Sequence, residues 1–160
     1  MQLGSTAKKL LTTLIVLFAL AVAGMIGVAH SGTAVSAQEG ALEKTLHAIS
    51  ANNLNATGVA FADIYGEDKT AAAVACPGET TDELSSRLGV DVSGMNLADS
   101  GVPDGYNYLI LADQNGDLTY DRMAMSDINL CAGQGQGTYR AYDIVPFVKD
   151  PATGAWVLAA

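Results

Sequence analysis

The sequence predicts an α+β fold, in which a mainly antiparallel sheet of about five or six strands packs against an N-terminal helix. Apolar residues recur at helical spacing in the first segment after an apolar leader. Short runs rich in β-branched and aromatic residues follow, separated by turns that contain Gly, Pro or Asn. Two cysteines, far apart in the chain, add one disulfide to the prediction.

The first 37 residues have the order of a secretory signal. Lys8 and Lys9 precede an uncharged run over residues 10–29, and small residues lead to Ala37. We expect cleavage after Ala37, which leaves residues 38–160 as a single secreted domain. An uncleaved anchor is the alternative, because about 20 apolar residues span roughly 30 Å of hydrocarbon. Either reading places the domain outside the cytoplasm or on the outer side of the cell envelope.

The exported part is strongly acidic. The leader holds two of the eight Lys and Arg residues and none of the 17 Asp and Glu residues, so six positive and 17 negative charges remain, a formal charge of −11. Such a field repels nucleic acid and anionic lipid, and it attracts cations and basic proteins. We therefore expect no nucleic-acid partner, and membrane contact only through an uncleaved leader.

Cys76 and Cys131 both lie in the exported part. Outside the cytoplasm, two cysteines of one domain usually pair. A reactive thiol would need CxxC spacing or a basic neighbour, and neither is visible. The sequence therefore predicts a Cys76–Cys131 disulfide.

The first half of the domain reads as a helix, a hairpin and a second helix. Leu42, Leu46 and Ile49 form one face of a helix over residues 39–53. Residues 57–65 and 70–76 then read as two strands of a hairpin that turns at residues 66–69. Thr80 or Thr81 is predicted to cap a short helix through Arg87. Glu83 would complete a capping box, and Gly89 would end the helix.

The clearest local signal in the second half is a hairpin over residues 106–125. Asn115 and Gly116 fit a two-residue type I′ turn, which pairs Gln114 with Asp117 and Ile110 with Asp121. Apolar residues occur on both faces, so we expect this hairpin to be central and covered by a helix on at least one side.

The C-terminal segment predicts a strand at residues 139–145, interrupted at Pro146. A last hairpin would join residues 147–149 and 155–158 through the Pro- and Gly-bearing turn at residues 150–154.

Catalytic signatures are sparse. His47 is the one histidine left after removal of the leader, which excludes multi-histidine zinc sites and leaves a Ser-His-Asp triad without a motif. Gly133, Gly135 and Gly137 read as a solvated loop, because no helix or lysine of a phosphate-binding loop follows. Two aspartates of a hydrolase are available by inventory, although the sequence singles out no pair.

A calcium candidate lies in the central hairpin. Its oxygen-bearing residues follow the order of an EF-hand loop: Asp113, Asn115, Asp117 and Asp121. Leu118 replaces the glycine of that loop, and Ala124 replaces its bidentate glutamate. We therefore expect the hairpin to form without a metal cofactor and calcium to raise the melting temperature little.

Aromatic residues of the second half offer a candidate binding patch, since Tyr and Trp dominate binding hot spots. They are Tyr106, Tyr108, Tyr120, Tyr139, Tyr142 and Trp156. The sequence thus favours a non-catalytic secreted or envelope-associated domain that binds a protein or glycan partner. The alternatives are an extracellular hydrolase with paired aspartates and a calcium-stabilised structural module.

Overall fold

We describe a computed structural model, which covers residues 40–133 and 137–159. The predicted leader and its cleavage site lie outside the described residues, as does Gly135 of the glycine-rich loop. Within the part that is described, no helix is long and apolar enough to cross a membrane.

The helices are α1 Ala41–Ala51, α2 Phe61–Tyr65 and α3 Thr81–Leu88, and a 3₁₀ turn spans Ser93–Met95. The strands are β1 Ala56–Ala60, β2 Lys69–Ala75, β3 Tyr106–Asp113, β4 Leu118–Ala124, β5 Ile128–Asn129, β6 Thr138–Arg140, β7 Ile144–Lys149 and β8 Trp156–Leu158.

The α+β class is confirmed, but the single sheet of about five or six strands is wrong. The strands form two four-stranded sheets, a first sheet in the order β1-β7-β8-β5 and a second sheet in the order β4-β3-β2-β6. All pairs are antiparallel except β5 with β8. α1, α2 and the inner faces of both sheets pack together in one hydrophobic core. Its largest fully buried side chains include Leu42, Leu46, Phe61, Leu109, Leu111, Met123, Phe147 and Trp156.

The other face of the second sheet is also covered. Ala73, Ala75 and Ile110 pack there against Leu84 of α3 and against a loop cluster of Val92, Met95 and Val102. The predicted central hairpin with two apolar faces is therefore found, as β3 and β4. A helix covers it on each side.

The predicted hairpin of residues 57–65 and 70–76 is wrong. The chain leaves β1 after Ala60 and turns through α2, and β1 pairs with β7 in the first sheet. β2 pairs with β3 and β6 in the second sheet. Ala62 N donates to Ala141 O at 2.8 Å in this crossing. Neighbouring strands in the sequence thus separate into different sheets, and each pairs with a strand farther along the chain.

The predicted two-residue turn is wrong, because the loop contains one residue more. Asp113 N donates to Asp117 O at 3.1 Å, so residues 114–116 form a three-residue loop. The Asp113 carboxylate accepts the backbone N–H groups of Asn115 at 2.8 Å and Asp117 at 2.9 Å. Gly116 has a φ of +87°, as the last position of such a loop requires. The one-residue shift moves Asp121 from opposite Ile110 to opposite Leu109, on the core face.

The predicted strand at residues 139–145 is split, and Pro146 does not interrupt a strand. β6 belongs to the second sheet and β7 to the first, and a turn around Ala141 separates them. Ala159 N donates to Pro146 O at 3.0 Å. The side of β7 on which Pro146 lacks an N–H therefore faces Ala159, the residue directly after β8. A proline is tolerated there because it removes one bond at the ladder's end.

Three further predictions are confirmed. Thr80 and Glu83 form the capping box of α3, and Gly89 ends that helix in the left-handed conformation. β7 and β8 form the last hairpin, with Phe147 opposite Leu158. Cys76 and Cys131 are joined, which links the end of β2 in the second sheet to the residues after β5 in the first.

Candidate binding site

The predicted aromatic patch is divided among three places. Tyr106, Tyr108 and Tyr120 share one face of the β3–β4 hairpin. The last two of them pack against the small cluster beneath α3. The Arg122 guanidinium carbon lies 3.7 Å from the centroid of the Tyr106 ring. These three side chains are half-buried, so they serve the packing of this face.

The other aromatic residues do not join them. Trp156 is 2% exposed, and its indole N–H donates to Ser50 Oγ at 3.1 Å. Tyr139 lies against the main core, with its ring centroid 6.4 Å from that of Phe61. Tyr142 is 56% exposed and donates its hydroxyl to the Glu67 carbonyl. The six residues therefore do not form one contact surface.

Three of the four calcium candidates, Asp113, Asn115 and Asp117, meet at the hairpin loop, where one carboxylate oxygen of Asp113 accepts the backbone N–H groups of the other two. Asp121 lies farther along β4, on the core face. Among the described residues, no group of three or more His, Cys, Asp or Glu side chains has a metal-binding arrangement.

Asp121 instead fixes the start of α1. Its carboxylate accepts the Tyr65 hydroxyl and the backbone N–H groups of Ala41 and Leu42. Burial raises the pKa of Asp121, and these hydrogen bonds oppose that rise. Burial and the neighbouring carboxylate raise the pKa of the Tyr65 hydroxyl. Asp121 and Tyr65 connect β4, α1 and α2. The predicted register missed this role because it placed Asp121 on the other face of the hairpin.

The outer face of the first sheet is apolar and exposed. Alternate residues of β7 point away from the core, and Ile144 is 76% exposed and Val148 37% exposed. Their neighbours on β1 and β8 are also apolar. We call this surface the outer face. It consists of Ala56, Gly58, Ala60, Ile144, Pro146, Val148 and Val157. It carries no charged side chain, although the domain is strongly acidic.

One long edge of the first sheet is unpaired among the described residues, because β1 is the end strand. Lys149 N donates to Asn55 O at 2.8 Å, so Asn55 is in a hydrogen-bonded pair with β7. In an antiparallel ladder such pairs alternate, and the backbone groups of Thr57 and Val59 therefore also face β7. Those of Ala56 and Gly58 face the free edge.

Two adjoining depressions, which we call the groove, follow α1: the first is lined by α1 and Leu54, and the second lies between α1, α2 and the end of β1. One end of the groove is lined by Ile49 and Leu54, and the other end by Ile64 and Ile144. Lys44 and Thr45 line both halves, and Ala41 and Ala48 complete the wall on α1. The lining also includes Asn52 and Asp63, and both depressions are open to a chain that approaches β1.

Sequence reasoning missed this site because it gave β1 the wrong partner. An apolar residue at every position from Ile144 to Val148 is the signal that could have located it. Such a run predicts a strand with two apolar faces, and here a core covers one of them.

No protein-family model, curated protein or solved structure matches the chain. The geometry of the site is therefore the basis for a functional proposal.

Proposed function

We propose that this is a non-catalytic domain that acts outside the cytoplasm and binds another protein through the outer face. The exposure of Ile144 and Val148 on a face without a charged side chain carries the proposal. The largest contiguous apolar patch on a soluble protein is often functional. Both faces of the second sheet are covered, whereas none of residues 40–133 and 137–159 covers the outer face of the first sheet.

A protein fits the outer face better than a glycan does. Sugar rings commonly pack on aromatic side chains flanked by hydrogen-bonding groups. The outer face has neither an aromatic nor a charged side chain, and the six aromatic candidates are divided as described above. Aliphatic residues on a flat sheet instead complement an apolar protein surface.

The acidic charge indicates a basic partner. A formal charge of −11 after removal of the leader attracts a positively charged protein and speeds its association. The disulfide between Cys76 and Cys131 suits a domain that works in an oxidising compartment. Export through residues 1–37 remains part of the proposal.

Paired substitutions on the outer face test the proposal. Ile144→Thr with Val148→Thr keeps β-branched residues in β7 while it adds two hydroxyls to the face. Partners from the extracellular fraction of the producing cells are captured on the wild-type domain, identified and purified. We expect the double variant to bind the purified partner at least about tenfold more weakly, which is about 1.4 kcal/mol.

Val90→Thr is the matched control, because Val90 is 42% exposed and follows α3, away from the first sheet. It should bind as the wild type does. Equal affinity of the double variant and the wild type for every purified partner would contradict the proposal. Turnover of an ester, peptide or glycan that one Asp→Asn change abolishes would contradict its non-catalytic part.

A further inference from the structure

We infer that the partner binds as an extended strand that pairs with the free edge of β1 and lies in the groove beside α1. This inference rests on the proposed function and specifies its mode. Strand addition supplies affinity through backbone hydrogen bonds and specificity through pockets for alternate side chains.

The size of the outer face requires a second contact region. Three strands about 4.8 Å apart and about 17 Å long cover a few hundred Å². A stable protein interface buries about 800 Å² on each partner. The groove adjoins the outer face along β1, so one bound segment that fills the groove extends the same contact.

The backbone of β1 is ready to accept a strand. Ala56 and Gly58 direct their N–H and C=O groups toward the free edge of β1, and no other described residue bonds to them there. Natural edge strands are usually blocked by charged side chains, proline or a bulge. β1 has none of these, since its sequence is ATGVA.

The groove matches the alternation of an extended segment. An added strand of about five residues spans about 17 Å, the length of β1. Side chains that point away from the outer face would contact Ile49 at one end of the groove and Ile64 at the other. Those that point the other way would extend the outer face beside Ala56 and Gly58.

Charge complementarity selects the occupant. A second copy of this chain would carry the same charge of −11, and the two copies would repel each other. The groove lining holds one cation, Lys44, and one anion, Asp63, so its own charges cancel and the net charge of the domain favours a positively charged segment. We therefore commit to a basic protein segment with alternating apolar residues.

A displayed library of random linear 12-residue peptides, selected on the secreted domain, supplies the probe. We expect enriched peptides to alternate apolar and polar residues and to carry Lys or Arg. The best peptide is then synthesised, and its affinity is measured for the wild type, Gly58→Pro and Gly58→Ala. Proline removes the N–H at the free edge, while alanine adds the same Cβ and keeps the N–H.

Gly58→Pro should weaken peptide binding at least tenfold relative to Gly58→Ala. An added Cβ at Gly58 would lie 2.5 Å from Ile144 Cγ2, the movable end of a side chain, and both variants share that contact. Ala56→Pro with Ala56→Ser repeats the comparison at a site that already has a Cβ. If Gly58→Pro melts at a much lower temperature than Gly58→Ala, the two Ala56 variants decide the test.

Each remaining outcome overturns the inference. The inference fails if no linear peptide is enriched, or if both proline variants bind as their controls do. The inference can fail in this way while the Ile144→Thr and Val148→Thr double variant still binds its purified partner more weakly than the wild type does. The proposed function then stands, and strand pairing is excluded. A wild-type dimer that Gly58→Pro dissociates, measured by light scattering, would make a second copy the occupant instead.

Discussion

At the scale of single residues, Asp121 shows how one carboxylate organises three elements. It lies on the core face of β4 and receives hydrogen bonds from Tyr65 of α2 and from the first turn of α1. A carboxylate at a helix N-terminus also interacts favourably with the helix dipole. Ala41, whose N–H it accepts, is part of the groove wall. This contact therefore fixes the end of α1 that borders the proposed binding site.

The pH dependence of stability tests this contact. Because burial raises the pKa of Asp121 above its unfolded value of about 3.9, the folded state binds that proton more tightly. Stability from this group is fully present below the unfolded pKa and is lost as the pH rises through the folded pKa. We expect the unfolding free energy of the wild type, relative to Asp121→Asn, to increase as the pH falls toward about 4.

Urea unfolding of both proteins at several pH values measures this difference. The comparison cancels the effect of Glu83 and Asp150, whose pKa values are lowered by hydrogen bonds and whose contributions have the opposite sign. A difference that stays constant with pH would show that Asp121 titrates alike in the folded and unfolded chains.

At the scale of elements, contacts between near neighbours in the sequence were predictable. The capping box of α3 depends on Thr80 and Glu83 alone, and the β7–β8 hairpin depends on a short turn. The partner of β1 was not predictable, because it lies about 90 residues downstream and nothing in the alternation of β1 selects it. The candidate site was missed with it, since the free edge exists only in that pairing.

The three-residue loop at residues 114–116 can be tested by a substitution at Gly116. Gly116 has a φ of +87° and no atom near the position of a Cβ, so a substitution there acts through the backbone alone. Gly116→Val should lower the unfolding free energy by about 1 kcal/mol or more, because a β-branched residue is forced to positive φ.

Gly116→Asn is the control, because asparagine adopts the left-handed conformation more readily. It should cost clearly less than valine in thermal unfolding. Equal melting temperatures for the wild type and Gly116→Val would mean that this loop geometry is absent in solution.

At the scale of the whole molecule, the disulfide joins the two sheets. Cys76 and Cys131 are 55 residues apart in the sequence, so the bridge closes a long loop. In the chain-entropy account a loop of that length contributes about 4 kcal/mol. Reduction should lower the unfolding free energy by roughly that amount, and Cys76→Ala with Cys131→Ala should lose a similar amount without reductant. Unchanged stability after complete reduction would contradict this role.

The intact mass of secreted material tests export. We expect the mature chain to begin at Gln38 and to contain no thiol that reacts before reduction. A mass that includes residues 1–37 would support the anchor, and two alkylations without reduction would exclude the disulfide.

The central claim is that β1 offers an open edge, and residue-resolved amide hydrogen exchange of the unliganded secreted domain tests it most directly. We predict alternation along the strand. The amides of Thr57 and Val59 are protected by β7, and those of Ala56 and Gly58 exchange at close to the rate of exposed amides. Protection of all four amides would show that the edge is already occupied and would contradict the account.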